Sequence, residues 1–123
     1  MCILFVEDEP IIAMVAAEAL EDAGHQVITA ATGDAAATYL DSMPGHFAGL
    51  VTDFTMPGEL TGVDVIYRTW QTYPEMPMVL ATAIAHTISR PWLKHQRVTL
   101  VSKPYSLATL VDLVKNLLAD CKK

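Results

Sequence analysis

Three acidic side chains are the first candidates for chemistry, because each lies at the end of a short apolar run. Glu7 and Asp8 follow the run Cys2 to Val6, and Asp53 ends the run Leu50 to Asp53. Carboxylates crowded together repel one another unless a hard cation lies between them, and Mg²⁺ prefers oxygen ligands of this kind. If the fold brings the three acids together, they predict a magnesium site.

A hydroxyl group and an ammonium group follow two further apolar runs. Thr82 ends the run Met78 to Thr82, and Lys103 follows the run Val98 to Ser102. Phosphoryl transfer needs an oxygen nucleophile, a cation, and donors for the charge on the phosphoryl oxygens. Asp53 would be the nucleophile and form an acyl phosphate, while Thr82 and Lys103 would contact the phosphoryl oxygens.

The predicted metal ligands differ in how they reach the cation. Asp8 would bind Mg²⁺ directly, and Glu7 would bind it directly or through water. The backbone carbonyl of Thr55 would add a further oxygen ligand to those of the acids. Thr55 lies two residues after Asp53, so we expect its side chain to affect how fast water removes the phosphoryl group.

The elements that must position these residues follow from alternating short apolar and longer amphipathic segments. The predicted strands are Cys2 to Val6, Val27 to Ala30, Leu50 to Asp53, Met78 to Thr82 and Val98 to Ser102. The predicted helices are Ile11 to Ala23, Asp34 to Met43, Val63 to Tyr73, Ala85 to Gln96 and Leu107 to about Asp120. Pro91 predicts a short or irregular fourth helix, and Ser106 is the predicted N-cap of the last one.

This alternation predicts an α/β fold with a doubly wound, five-stranded parallel sheet and helices on both of its faces. The expected strand order is flavodoxin-like, two-one-three-four-five. In such sheets ligands bind outside the carboxyl ends of the strands, where the winding reverses between strands one and three. The predicted site residues all lie at those ends.

Four motifs in this order resemble the receiver domains of response regulators. They read Val6-Glu7-Asp8-Glu9-Pro10, Thr52-Asp53-Phe54-Thr55-Met56-Pro57-Gly58, Ala81-Thr82-Ala83 and Ser102-Lys103-Pro104-Tyr105. The resemblance implies a two-component phosphorelay, with reversible phosphorylation of Asp53 by a histidine kinase or histidine phosphotransferase and with Mg²⁺ as cofactor. It also implies slow self-dephosphorylation without further enzymatic activity, and a switched surface that binds a downstream protein. Pro104, after a cis peptide bond, and Tyr105 would support the switch.

Two departures from the family pattern limit what carries over. The loop after Asp53 is one residue longer than its commonest form, which resembles receivers attached to hybrid histidine kinases. An excised receiver domain of such a kinase is therefore an alternative to a separate protein. Leu100 stands where receivers usually have an aromatic switch residue, so Tyr105 or Trp92 would have to take over that role.

Two other protein classes use related chemistry or a related fold. A haloacid dehalogenase-type phosphatase also forms an aspartyl phosphate, but it needs a second Asp where this chain has Thr55. A flavodoxin-type domain needs a phosphate loop after the first strand, and the acids Glu7 and Asp8 would repel the flavin phosphate. The residues favour the receiver over both classes.

The composition bounds the remaining possibilities. A chain of 123 residues, with 52% hydrophobic and 18% charged residues, suits one domain. With the resemblance, this implies a single receiver domain over residues 1–123. The net charge of −6 and the scattered Lys and Arg residues disfavour direct binding to nucleic acid. No run reaches membrane-spanning length and no signal peptide is apparent, so we expect a cytoplasmic protein. Cys2 and Cys121 are interpreted as reduced, and a homodimer remains open.

The first predicted helix is more apolar than one buried face requires. Ile11, Ile12, Met14 and Val15 point in several directions around a helix. Two interpretations remain open: tight packing under the last helix, or a surface that docks the helical phosphodonor.

Overall fold

The structure, a computed structural model, describes residues 2–53, 61–82, 98–102 and 105–121. Its strands are β1 (Cys2–Val6), β2 (Gln26–Ala30), β3 (Phe47–Asp53), β4 (Met78–Thr82) and β5 (Val98–Ser102). Its helices are α1 (Pro10–Asp22), α2 (Gly33–Ser42), α3 (Gly62–Thr72) and α4 (Leu107–Cys121). The predicted helix Ala85 to Gln96 lies outside the described residues.

All five strands are parallel and follow the order β2-β1-β3-β4-β5, which confirms the predicted flavodoxin-like sheet. At the carboxyl ends, Val6 pairs with Thr52 and Asp53 pairs with Ala81. The ends of β1, β3 and β4 are therefore level. Residues that follow these strands meet at one edge of the sheet.

Strand β3 begins earlier than predicted, at Phe47 instead of Leu50. Gly49 lies within it, although glycine weakens a strand. A Cβ at Gly49 would lie 3.3 Å from Cδ1 of Ile3 and 3.5 Å from Cδ2 of Leu118. The glycine thus permits close packing at this point, which is why the strand includes it.

Side-chain caps start three of the helices. The hydroxyl of Thr32 accepts from the backbone N–H of Ala35 at 3.0 Å, and that of Ser106 accepts from Thr109 at 3.1 Å. Thr61 and Asp64 form a reciprocal capping box at the start of α3. The predicted N-cap role of Ser106 is therefore confirmed, and the capping box accounts for the start of α3.

Two cores hold the sheet, one on each face. The first lies under α2 and α3 and includes Leu4, Leu50, Ile66 and Leu80. The second lies under α1 and α4 and includes Phe5, Leu20, Val51 and Leu110. Because β1 and β4 are buried along their whole length, the sheet is a firm support for the residues at its carboxyl edge.

Two further sequence expectations concern the cysteines and the membrane. Cys2 is a buried free thiol, and burial raises its pKa. The side chain of Cys121 lies outside the described residues. In the part of the chain that the structure describes, no helix is long and apolar enough to cross a membrane.

Candidate functional site

The three predicted acids meet at the carboxyl edge of the sheet. Glu7, Asp8 and Asp53 each offer one carboxylate oxygen, and these oxygens all lie within 4.8 Å of one another. The pairing of Val6 with Thr52 places the end of β1 beside that of β3. Residues about 45 positions apart in the chain thus form one cluster, as expected for the carboxyl ends of parallel strands.

The acids differ in their exposure to solvent. Glu7 is 3% exposed and Asp53 is 8% exposed, whereas Asp8 is exposed. The Oε2 atom of Glu7 accepts a hydrogen bond from the backbone N–H of Glu9 at 3.3 Å, which orients this carboxylate. Two of the acids, Glu7 and Asp53, are therefore buried at the end of the sheet, and Asp8 is exposed to water.

This donor set suits a hard divalent cation. All the converging atoms are carboxylate oxygens, which Mg²⁺ prefers, and a cation offsets the cost of burying negative charge. The described residues thus form an acidic pocket of the kind that binds Mg²⁺.

Two further predicted site residues, Thr82 and Tyr105, are among the described residues. Thr82 is buried at the end of β4, one residue beyond the partner of Asp53. Tyr105 is half-buried and packs against the core under α1 and α4. Thr55, Lys103 and Pro104 lie outside the described residues, so their predicted roles stay predictions.

Thr52 is a neighbour of Asp53 that the sequence analysis did not single out. Its side chain is buried, and its hydroxyl donates to the backbone carbonyl of Asp53 at 3.1 Å. A polar residue in an otherwise apolar buried strand is a signal that could have drawn attention to it.

The exposure of four side chains of α1 rules out one of the two interpretations of its apolar surface. Ile11 is 71% exposed and Met14 is 61% exposed, and Ile12 and Val15 are also exposed. The helix buries small residues and Leu20 against the sheet instead. Tight packing under α4 was therefore the wrong interpretation for these four side chains.

Comparison with known proteins places this arrangement in a family. A model of the response regulator receiver domain matches residues 3–115. The chain belongs to this family. The receiver resembles part of the sensor kinase CckA of Brucella abortus, with 28% identity over 117 residues, which cover 94% of this chain and 12% of that kinase. The chain thus spans only a small share of the curated relative it matches.

Two solved structures illustrate the likeness. The receiver domain of the hybrid histidine kinase CckA is 29% identical, with a TM-score of 0.80 and coverage of 96% of this chain and 99% of that one. The response regulator TrrA of Thermotoga maritima, crystallised in complex with Mg²⁺ and BeF, is 28% identical, with a TM-score of 0.81 and coverage of 94% and 97%.

Family membership confirms the resemblance seen in the motifs. A receiver domain is a phosphoacceptor in two-component signalling rather than a conventional enzyme, and it implies a histidine kinase as partner. The match also decides against the dehalogenase-type phosphatase and the flavodoxin-type domain.

Proposed function

We propose that this receiver domain accepts a phosphoryl group on Asp53 from a histidine kinase or a histidine phosphotransferase, in a Mg²⁺-dependent and reversible reaction. The observation that carries the proposal is the meeting of Glu7, Asp8 and Asp53 within 4.8 Å at the end of the sheet. Asp53 has the position of the nucleophile because it ends the central strand β3 and lies beside both other acids.

Glu7, Asp8, Asp53 and the backbone carbonyl of Thr55 would hold the cation. When bound, Mg²⁺ supplies positive charge that offsets the negative charge of the acids and of the phosphoryl oxygens. The relative TrrA, whose structure contains Mg²⁺ and BeF, supports this assignment.

The side chains of the site would then carry out the transfer of the phosphoryl group. A carboxylate oxygen of Asp53 attacks phosphorus, the bond from phosphorus to the donor histidine nitrogen breaks, and an acyl phosphate forms. Thr82 and Lys103 donate hydrogen bonds to the phosphoryl oxygens. The burial of Asp53 and Thr82 keeps both side chains in fixed positions.

The exposed apolar residues of α1 form the surface that docks the phosphodonor. Ile11 and Met14 lie on the helix that begins directly after the acidic pair, so a helical donor seated there would bring its histidine close to Asp53. Exposed apolar side chains in such a cluster mark partner sites.

Phosphorylation would bias a second surface that binds the downstream protein. We place this surface in residues 83–96, β5 and α4. Leu100 of β5 is 37% exposed, and Tyr105 packs against the core under α1 and α4. Tyr105 or Trp92 would replace the missing aromatic of β5 as the moving side chain.

We further propose that residues 1–123 form one receiver domain, and that a hybrid histidine kinase is a candidate for its parent. The likeness to the CckA receiver and to a segment of the CckA kinase favours this second reading. The lengthened loop after Asp53 points in the same direction.

The direct test is to incubate the protein with acetyl phosphate, with and without Mg²⁺, and to measure intact mass. We expect a labile phosphoryl adduct only with Mg²⁺, and we expect Asp53→Asn to abolish it. Asp112→Asn is the matched control, because Asp112 is an exposed acid on α4. An adduct that persists in Asp53→Asn would refute the assignment of the acceptor.

A further inference from the structure

A groove of about 600 Å³ lies between α1 and the edge of the sheet at β2. Met14, Glu18 and Glu21 form its wall along α1, and Val27 and Thr29 form its wall along β2. The groove follows one flank of α1 over roughly three turns. Its upper end reaches Asp8 of the acidic cluster.

The charge of this groove has one sign. Carboxylates line it from top to bottom, at Glu7, Asp8, Glu18 and Glu21, and no lysine or arginine occurs among the described residues that line it. The apolar side chains of Met14 and Val27 lie between these acids. A second copy of this chain, with a net charge of −6, would be repelled, whereas a basic partner would be attracted.

Strand β2 offers this groove an edge that can pair with another strand. In the described part of the sheet, β2 pairs with β1 alone. The backbone N–H of Glu7 donates to the carbonyl of Ala30 at 2.9 Å, so Ala30 directs its backbone groups toward β1. Because these groups alternate along a strand, Val27 and Thr29 direct theirs to the outer edge.

Edge strands are usually protected by a lysine, a proline or a bulge. The sequence of β2, from Gln26 to Ala30, contains neither residue, and its pairing with β1 has no register shift. Its Val, Ile and Thr residues favour extended structure. The outer edge of β2 is therefore open to strand addition. The negative charge of the neighbouring groove favours an added strand with basic side chains.

We propose that the groove between α1 and β2 binds an extended segment of a partner protein in which basic and other residues alternate. The segment adds a sixth strand beside β2 and pairs with the backbone of Val27 and Thr29. Its basic side chains lie on the α1 side, where Glu18 and Glu21 meet their charged ends and Met14 packs against their stems.

The upper end of the groove links this segment to the acidic cluster. A basic side chain near Asp8 and a cation held by Glu7 and Asp8 compete for the same negative charge. Each therefore weakens the binding of the other. This link rests on the proposed function, whereas binding in the absence of metal does not.

Fluorescence anisotropy with a labelled nine-residue peptide of alternating Lys and Val tests the groove. In metal-free buffer we expect a Kd at least about tenfold lower than for the matched Glu and Val peptide. A Lys and Val peptide with N-methyl groups on the backbone nitrogens that face β2 should lose at least about tenfold in affinity. Equal binding of the N-methylated peptide would overturn strand addition.

Variants of the protein locate the binding. Glu21→Lys lies in the groove, and Asp22→Lys makes the same charge change one residue away, outside it. We expect Glu21→Lys to raise the Kd about tenfold and Asp22→Lys to raise it less than about threefold. Equal effects would show general charge attraction and would overturn the proposal.

A second pair of variants examines the edge of β2. Thr29→Pro removes a backbone N–H that faces outward, which edge strands tolerate, and Thr29→Val keeps it. We expect only the proline variant to lose peptide affinity. If Thr29→Pro does not fold, judged by circular dichroism, the N-methylated peptide decides the same question.

Adding Mg²⁺ at constant ionic strength should raise the Kd of the Lys and Val peptide about threefold or more. Asp8→Asn should remove this effect. Peptide binding that Mg²⁺ leaves unchanged would overturn the link to the acidic cluster but not the groove. Absence of peptide binding in metal-free buffer would overturn the groove itself, whatever the outcome of phosphorylation at Asp53.

Discussion

The two faces of the sheet bury similar cores but present different outer surfaces. Under α2 and α3, apolar side chains such as Ile66 turn toward the sheet, with Tyr67 as the exposed exception. On the other face, α1 buries mainly alanines and leaves Ile11 and Met14 exposed. A helix needs only one apolar flank to pack. The helices α2 and α3 therefore turn most of their apolar side chains inward, whereas α1 keeps several exposed, as the proposed docking surface requires.

The largest expected effect is a difference in the free energy of unfolding between variants on the two faces of the sheet. Ile66→Ala removes a fully buried side chain and should lower the free energy of unfolding by about 2 to 5 kcal/mol. Ile11→Ala, on the exposed side of α1, should change it by less than about 0.5 kcal/mol. Urea unfolding at equilibrium measures both. A large decrease in the free energy of unfolding of Ile11→Ala would mean that Ile11 is packed against other residues, as Ile66 of α3 is, despite its exposure.

The second effect comes from metal binding beside α1. A ligand that binds only the folded state stabilises it, by about 2.7 kcal/mol at 100 times its Kd. Mg²⁺ should therefore raise the melting temperature, and Asp8→Asn should abolish the rise. In hydrogen exchange, Mg²⁺ should protect the start of α1 more than α2. Equal protection of both helices would contradict a site located at the acidic cluster.

The third effect tests the docking surface. Met14→Glu should lower the rate of phosphoryl transfer from a histidine phosphotransferase about tenfold, because it places charge in an apolar contact. Tyr67→Glu is the control, since Tyr67 is an exposed residue of α3 on the opposite face. Labelling by acetyl phosphate should be unchanged in both variants. Transfer at the normal rate in Met14→Glu would argue that the donor docks elsewhere.

The smallest expected effect is the loss of stability when the N-terminal cap of a helix is removed, which should differ between the two faces. Thr61→Ala removes the capping box of α3 and should cost about 1 kcal/mol of stability. Glu9 is the N-cap residue of α1 but makes no side-chain cap hydrogen bond. Glu9→Ala should therefore lower the stability much less, and urea unfolding at equilibrium measures both variants.

Much of this fold was predictable because the apolar runs are short and regularly placed. β1, β4 and β5 have the predicted bounds. For β1 and β4 the reason is that continuous apolar runs mark strands that are covered on both faces. The start of β3 was missed because glycine usually argues against a strand. Only the packing of Ile3 and Leu118 around Gly49 explains it.

The acidic cluster was predictable for a topological reason, but its internal differences were not. Parallel strands bring their carboxyl ends to one edge, so Asp53 and the pair Glu7 and Asp8 had to be neighbours. Adjacent acids look equivalent in a sequence. The burial of Glu7 and the exposure of Asp8 depend on which way each side chain leaves the end of β1.

Gly49 also ties two distant parts of the molecule together. It lies in β3, the strand that ends at Asp53. Because Gly49 has no side chain, Leu118 of α4 packs close to the backbone of this strand. A Cβ at residue 49 would come within 3.3 Å of Cδ1 of Ile3, so a larger side chain there would first displace Ile3 of β1. The strand that ends in Asp53 is therefore packed at its start against both β1 and α4, where the space for a larger side chain is limited.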